Sequence, residues 1–232
     1  MKTIGILGGM SAASTQIYYR HLCLLTRQRL GGLHSPSLLI RSLDFAAIEA
    51  LQAADAWAEA GRILNAEARA LERGGADLLV LATNTMHREA EAMMQGVRLP
   101  LVHIADATAE AVVKGGCRRP GLMATGFTMA EGGFYVGRLR GRGLEVVVPE
   151  EGDRTETHRI IYEELCKEVV TEESRGKYEA IARRLVERGA DCLILGCTEV
   201  GMLLDQGNVE VPVFDTTFVH CEAALAMALA GA

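Results

Sequence analysis

The chain has 232 residues, of which 49% are apolar and 23% charged, as in an ordinary soluble globular protein. Its net charge of −6 excludes a general attraction to nucleic acid or to an anionic membrane. No stretch approaches the ~20 apolar residues of a membrane span, and the apolar run after Met1 is too short for a signal peptide. Six cysteines without a CxxC pair predict free thiols in a reducing cytoplasm, with no disulfide framework or zinc site.

Strands are predicted to alternate with helices from the start of the chain. In the first half, the expected elements are a strand at 3–7, a helix at about 14–29, a strand at 36–42, a helix at about 57–73, a buried strand opening the segment 77–87, and a helix from about 87 to 95. Ser11 is in a position to cap the first helix. Helices between strands predict a parallel sheet.

The second half continues the same alternation. Its expected elements are a strand at 99–104, a helix at 105–113, a strand at 120–125, a helix at 132–142, a strand at 144–149, helices at about 155–167 and 172–188, a buried strand opening the segment 191–201, a strand at 211–216, and a final apolar helix. The predicted fold class is therefore α/β with parallel sheets.

Two segments of the chain repeat one another. DLLVLATNTMH at 77–87 corresponds to DCLILGCTEVG at 191–201 with an offset of 114 (191 − 77), which pairs Thr83 with Cys197. Any α/β protein contains several such strands, but three landmarks here recur in order: this segment, Gly5 with Gly121 (121 − 5 = 116) and Pro100 with Pro212 (212 − 100 = 112). We therefore predict two similar lobes, one at 1–97 with the C-terminal helix 215–232 and one at 98–214. The site is expected in the cleft between them, where the ends of the repeated strands meet.

Small polar and thiol side chains follow the two repeated strands. Cys197 is expected at a strand-to-helix turn, where backbone N–H groups would lower its pKa below about 8.5; a buried structural cysteine is the alternative. Cys192 is expected in the core. The run Thr83-Asn84-Thr85 suits the carboxylate or amino group of an amino acid, and helix capping is its alternative. His87 is either a catalytic acid or base, or a helix-start residue facing solvent.

The sequence predicts that no cofactor or metal is used. The loop GILGGMS at 5–11 matches neither the dinucleotide-binding pattern GxGxxG nor a phosphate-binding P-loop. None of the four lysines falls at the end of a predicted strand, which argues against a pyridoxal phosphate Schiff base. The histidines show no spacing typical of metal ligands.

Four motifs together give the chain a recognisable resemblance. They are GILGGMS at 5–11, TNTMH at 83–87, GCTEVG at 196–201 and VPVFDT at 211–216. At this spacing the sequence resembles the cofactor-independent aspartate/glutamate racemase family, in particular its bacterial branch of broad or Asp/Glu specificity. The resemblance implies two α/β lobes related by a pseudo-twofold axis, a homodimer, and an amino acid substrate. It also implies two cysteines that flank the α-carbon, one removing its proton and the other returning one.

The chain departs from this family pattern at the first cysteine position. Thr83 stands there, whereas the second cysteine is intact as Cys197. The resemblance makes Cys197 the base that acts on the L-enantiomer. A threonine hydroxyl is too weak an acid to rest as an alkoxide base, but it can donate a proton or relay one from water or His87. We therefore expect an enzyme that works mainly from L to D, with Cys197 and Thr83 as its catalytic residues.

Further residues match the family's substrate-binding positions. The predicted set is Met10, Ser11, Gln52, Asn84, Thr85, Thr125, Thr198 and Glu199. The arginine and lysine that help aspartate racemases bind carboxylates are missing, since the comparable stretches are 49–52 and 163–166. Arg41 is another candidate cation, or a solvated residue at a strand end. The choice between aspartate and glutamate stays open.

Two other functions remain compatible with the sequence. One is decarboxylation or isomerisation of small dicarboxylic acids on the same scaffold, resembling arylmalonate decarboxylase, which also uses a single cysteine, or maleate isomerase. The other is a ligand-binding relic that lost turnover together with the first cysteine. The motif TNTMH and the full-length match favour the racemase.

Overall fold

The computed structural model of the chain describes residues 1–230, which divide into two compact units. One unit comprises residues 1–103 and the chain from His220 on, and the other comprises residues 104–219. The sequence places these boundaries at 97/98 and 214/215, and the last two residues of its predicted helix 215–232 lie outside the described residues. Within residues 1–230, no helix is both long and apolar enough to cross a membrane.

The first unit is a parallel sheet with the strand order β2-β1-β3-β4. Its strands are β1 (Ile4–Gly8), β2 (Leu38–Ser42), β3 (Leu78–Leu81) and β4 (Leu101–Val102). Its helices are α1 (Ala12–Leu30), α2 (Phe45–Ala53), α3 (Trp57–Arg73), α4 (Ala90–Met94) and, from His220, most of the C-terminal helix (Thr216–Leu229). Every residue of the two central strands, β1 and β3, is buried.

The second unit is a parallel sheet with the order β5-β6-β7. Its strands are β5 (Pro120–Met123), β6 (Cys192–Leu195) and β7 (Val213–Asp215). Its helices are α5 (Ile104–Lys114), α6 (Phe134–Gly141), α7 (Glu151–Glu163) and α8 (Glu172–Glu187), and the C-terminal helix, α9, begins here at Thr216. The predicted α/β class with parallel sheets in two sets is confirmed.

The central strand β6 is covered by apolar side chains on both faces. Cys192 and Ile194 belong to one buried cluster, while Leu193 and Leu195 belong to another. Because side chains alternate along a strand, the two clusters lie on opposite faces of the sheet. A continuous apolar run is therefore the expected sequence of this strand, as predicted for a doubly covered parallel sheet.

The structure differs from the predicted elements at several places. The strand expected at 144–149 is wrong, because this stretch makes a single parallel bridge, between Val147 and Gly121, and ends at Pro149, which has no N–H to continue a ladder. Helix α2 was not predicted; it begins where the Asp44 carboxylate accepts a hydrogen bond from Ala46 N–H at 3.2 Å. The helix expected from His87 begins earlier, as a 3₁₀ turn at 85–89.

Matching hydrogen bonds recur inside the two units. Asp77 N–H donates to Thr3 O at 2.8 Å, and Thr3 N–H donates back to the Asp77 carboxylate at 2.7 Å. Asp191 and Arg119 exchange the same two bonds, at 3.0 Å each. These pairs keep the offsets found in the sequence, 114 for the aspartates (191 − 77) and 116 for their partners (119 − 3). The repeat therefore extends to hydrogen bonds within the two units and is not limited to sequence similarity.

Buried polar groups connect α9 to the rest of the first unit. His220 is fully buried, and its Nε2 donates to the Val102 carbonyl at 2.7 Å, so its Nδ1 accepts from the Tyr18 hydroxyl, also at 2.7 Å. Burial lowers the pKa of His220 to about 4, which keeps the ring neutral near pH 7. Because a neutral ring has one donor and one acceptor, both of its nitrogens are satisfied.

We predict that Tyr18→Phe destabilises the protein by about 1–3 kcal/mol, because it leaves the buried His220 Nδ1 without its donor. The matched control is Tyr19→Phe, since the neighbouring Tyr19 is 53% exposed and should change stability by less than about 0.5 kcal/mol. Urea unfolding measures both values. Equal midpoints for the two variants would contradict the role given to this hydrogen bond.

Candidate active site

The first polar segment is the turn that follows β3. Thr83, Asn84 and Thr85 are 7%, 4% and 5% exposed, and Thr83 N–H turns back to donate to Leu81 O at 2.9 Å. Asn84 precedes the 3₁₀ turn at 85–89 but does not cap it through its side chain, which argues against simple helix capping as its role. The strand end therefore holds a row of buried groups that form hydrogen bonds.

His87 stabilises this turn through a hydrogen bond to its backbone. Its ring is 2% exposed, so the solvent-facing alternative is wrong. Nδ1 lies 2.7 Å from the Thr83 carbonyl oxygen, and because a carbonyl only accepts, Nδ1 carries the hydrogen. The ring also packs against His103, with centroids 4.6 Å apart. His87 thus fixes the backbone of Thr83.

The loop after β1 is tightly built. Gly9 has φ +86, and a Cβ at this position would collide with the backbone of Leu43, so the loop requires glycine. Met10 and Ser11 follow it and are 5% and 4% exposed. Ser11 caps α1 by accepting a hydrogen bond from Ser14 N–H at 3.2 Å, as predicted.

Two side-chain bonds join α1 and α2 to the region after β3. The Ser14 hydroxyl donates to the carbonyl of Ala82, the residue before Thr83, at 2.9 Å. Gln52, on α2 and 5% exposed, donates from Nε2 to the Met86 sulfur at 3.0 Å. The Ser14 and Gln52 side chains therefore link α1 and α2 to the segment that follows β3.

Arg41 does not belong to this buried group. Its side chain is 53% exposed, and its Nε lies 2.5 Å from a Glu67 carboxylate oxygen. The hydrogen bond and charge of Glu67 raise the pKa of Arg41. The solvated alternative is therefore the better description of Arg41.

The second unit places Thr125 just beyond the end of β5. Its hydroxyl is buried, lies 3.1 Å from the Thr128 hydroxyl and accepts from Thr128 N–H at 3.3 Å. The next residue, Gly126, donates its N–H to His158 Nδ1 at 3.2 Å. Burial lowers the pKa of His158, in keeping with an unprotonated Nδ1 that accepts this bond.

The segment after β6 concentrates the reactive groups of the second unit. Cys197, Thr198 and Glu199 are 9%, 5% and 2% exposed. The Cys197 thiol donates to Glu199 Oε2 at 2.9 Å, and the Thr198 hydroxyl donates to the same oxygen at 2.5 Å. The Cys166 thiol reaches the other oxygen, Oε1, at 4.0 Å. The Glu199 carboxylate is thus the acceptor around which this segment is arranged.

The expected lowering of the Cys197 pKa is wrong. Burial raises the pKa of this thiol well above its usual value, and the nearby charge of Glu199 raises it further. The Glu199 N–H lowers it, as expected at a turn, but this effect is outweighed. The same two causes, burial and Glu199, raise the pKa of Cys166 to about 12. Cys197 therefore rests as a thiol with a carboxylate in contact.

Asp215 is a residue of this region that the sequence analysis missed. It ends β7, the neighbour of β6, and its Oδ1 accepts from Thr217 N–H at 2.7 Å. Burial raises its pKa to about 6, and the charge of Glu199 contributes to this rise. The signal was present in VPVFDT, because polar residues at neighbouring strand ends meet at one sheet edge.

The predicted residues thus form two buried sets, each inside one unit. The first-unit set is Met10, Ser11, Gln52, Thr83, Asn84 and Thr85, and the second-unit set is Thr125, Cys197, Thr198 and Glu199. Within residues 1–230, one group of side chains has the composition and spacing to hold a metal ion, namely Cys117, Asp191 and Cys192. It shares no residue with the two buried sets. Both sets offer hydroxyls, an amide or a carboxylate, and the second adds a thiol.

Comparison with known proteins matches residues 7–224 to the family described as Asp/Glu/Hydantoin racemase. A protein from Yersinia pestis, solved as a proposed Asp/Glu racemase, is 43% identical with a TM-score of 0.91, over 99% of this chain and 100% of that one. An aspartate racemase homologue from Pyrococcus horikoshii OT3 is 36% identical with a TM-score of 0.85, over 98% and 99%. The broad specificity amino-acid racemase RacX of Bacillus subtilis is 23% identical over 63% of each protein, less than two thirds of its length.

We predict that Asp215→Asn changes how stability depends on pH. The folded state raises this carboxyl's pKa from 3.8 to about 6, so it binds more protons than the unfolded chain between those values. Wild-type stability from this group is therefore greatest below pH 4 and falls as pH rises to 6, by roughly 3 kcal/mol. Asparagine does not titrate, so the variant should gain stability relative to wild type over this range.

Denaturant unfolding at several pH values between 4 and 7 measures this difference. Asp205→Asn is the matched control, because Asp205 is exposed and also accepts a backbone N–H, from Gly207 at 2.7 Å. A stability difference between Asp215→Asn and wild type that stays constant with pH would contradict the raised pKa.

Proposed function

The chain belongs to the Asp/Glu/hydantoin racemase family, and from this membership we propose that it is an amino acid racemase that inverts aspartate or glutamate without a cofactor. The observation that carries the proposal is the buried Cys197 thiol in contact with the Glu199 carboxylate at the end of β6. The names of the Yersinia and Pyrococcus relatives support an acidic amino acid as substrate. The hydroxyl and amide groups of both buried sets suit its carboxylate and ammonium groups.

Inversion at an α-carbon sets the chemical requirement. The α-proton leaves from one face, a planar carbanion forms, and a proton returns to the other face. An enzyme therefore needs a base on one side and an acid on the other. We assign the base for the L-enantiomer to Cys197 and the opposing acid to Thr83, at equivalent positions of the repeat (197 − 83 = 114).

Glu199 gives the thiol a route to its reactive form. A thiol whose pKa is raised by burial is a poor base until its proton has somewhere to go. Glu199 Oε2, 2.9 Å from the sulfur, takes that proton, which leaves a thiolate and a protonated carboxyl. The thiolate then removes the α-proton. In this mechanism Glu199 acts on Cys197, which differs from the substrate-binding role predicted from the sequence.

Thr83 supplies the second proton. Its hydroxyl donates to the high-energy carbanion, and the resulting alkoxide takes a proton from water while Glu199 releases its proton to solvent. His87 donates to the Thr83 carbonyl and so fixes the direction in which this residue faces. A threonine cannot hold a resting negative charge, so the enzyme form that is ready for the D-enantiomer is rare.

This asymmetry supports a bias from L to D, within a thermodynamic limit. The two enantiomers have equal free energies in water, so kcat/KM must be equal in both directions. The bias is therefore confined to kcat. At saturation the L-substrate turns over faster, whereas the D-substrate has a lower kcat and an equally lower KM, because most of it binds unproductively.

The remaining expectations complete the proposal. A homodimer follows from the family resemblance alone. All six cysteines are free thiols, which supports the proposed reducing cytoplasm.

We predict exchange of the α-proton of L-aspartate or L-glutamate in D2O, followed by proton NMR, together with appearance of the deuterated D-enantiomer. Cys197→Ala should slow exchange by at least about 10²-fold, because the base is lost. Cys23→Ala, the same chemical change on α1, should leave the rate unchanged. In the same assay, kcat should be higher from L than from D, and Thr83→Cys should reduce this difference.

Exchange that persists at the wild-type rate in Cys197→Ala would contradict the assigned base. Evolution of CO2 without exchange would identify a decarboxylase, and absence of both would identify a ligand-binding relic. Equal kcat values from the two enantiomers would contradict the directional bias alone and leave the racemase proposal standing.

A further inference from the structure

A second group of reactive side chains lies at the opposite end of β6 from Cys197. Cys117 Sγ, Cys192 Sγ and an Asp191 carboxylate oxygen all lie within 4.8 Å of one another. Cys192 is fully buried and Cys117 is 6% exposed, whereas Asp191 is exposed. The group is therefore reachable from solvent through the carboxylate and enclosed by protein on the side of the thiols.

The internal repeat shows which part of this group is common to both units and which part occurs in the second unit. Asp77 in the first unit makes the same backbone exchange with Thr3 that Asp191 makes with Arg119. Yet the residue after Asp77 is Leu78, where the second unit has Cys192. The backbone arrangement thus forms without a cysteine, and the pair of thiols is a feature of the second unit that the fold does not require.

We propose that Cys117, Asp191 and Cys192 form a binding site for a borderline-soft divalent cation, of which Zn²⁺ is the representative. Two thiolates and one carboxylate are a donor set that Zn²⁺ prefers, and a water molecule reached past the exposed carboxylate completes a tetrahedron. Binding releases the two thiol protons, so that M²⁺ and two thiols give a bis-thiolate complex and 2 H⁺.

The carboxylate has the capacity for this role. Asp191 accepts from Arg118 N–H at 2.7 Å through Oδ2, and from Arg119 N–H at 3.0 Å through both oxygens. A carboxylate offers about four lone-pair positions, so three accepted contacts leave one for a metal. These backbone bonds also orient the carboxylate before any ion arrives, which reduces the entropy lost on binding.

The test is a Zn²⁺ titration of the metal-stripped full chain, kept reduced with a phosphine, in competition with a chromogenic chelator. Cd²⁺ serves as a second probe, through its thiolate-to-metal charge-transfer absorption. Wild type should bind a single tight equivalent. Cys117→Ser and Cys192→Leu, which installs the residue of the first unit, should each remove it. Asp191→Asn should weaken binding at least about tenfold.

Two variants serve as matched controls. Asp77→Asn alters the equivalent backbone exchange in the unit that lacks the thiols, and Cys197→Ala removes the thiol of the candidate active site. Both should bind Zn²⁺ as wild type does. The proposal is overturned if wild type binds no stoichiometric ion. It is also overturned if binding survives in Cys117→Ser and Cys192→Leu, or if Cys197→Ala abolishes it. None of these outcomes depends on racemase activity.

Discussion

The proposed chemistry of this protein depends on one contact, between the Cys197 thiol and the Glu199 carboxylate. Both groups are buried, and burial raises the pKa of the thiol. In the proposed mechanism, the thiol proton passes to Glu199 and the negative charge moves from oxygen to sulfur. The sulfur and the accepting oxygen lie 2.9 Å apart, so the proposed transfer of this proton needs no ion from solvent.

The rest of the second unit is arranged to keep this pair in place. β6 is buried on both faces, so its end is held rigidly at the edge of the sheet. The Thr198 hydroxyl donates to the same carboxylate oxygen as the thiol and limits its rotation. The first unit has the same backbone plan, but Thr83 follows its strand β3, and His87 donates a hydrogen bond to the Thr83 carbonyl. The two units therefore share a backbone plan, and their strand ends differ chemically.

Much of this could be predicted from sequence, and the failures have physical causes. The parallel sheets and the buried strands β3 and β6 follow from continuous apolar runs, which are strong signals. The pKa of Cys197 was predicted in the wrong direction because position at a turn was weighed without the neighbouring carboxylate, whose proximity depends on side-chain geometry. Asp215 was missed for a similar reason, since its burial arises only when β7 pairs with β6. The stretch at 144–149 has the composition of a strand, but sequence does not reveal that it pairs at only one residue.

The central claim, that Glu199 governs the proton of Cys197, is tested most directly with Glu199→Gln. One preparation is followed for alkylation of Cys197 by iodoacetamide, resolved by peptide mass spectrometry, and for α-proton exchange of the L-substrate. Removing the carboxylate charge should lower the thiol pKa and speed alkylation, because the thiolate is the nucleophile. Exchange should nevertheless fall by at least about 10²-fold, because alkylation reports ionisation of the free enzyme to solvent, whereas exchange needs an acceptor for the thiol proton while substrate occupies the site. Slower alkylation, or exchange at the wild-type rate, would contradict the account.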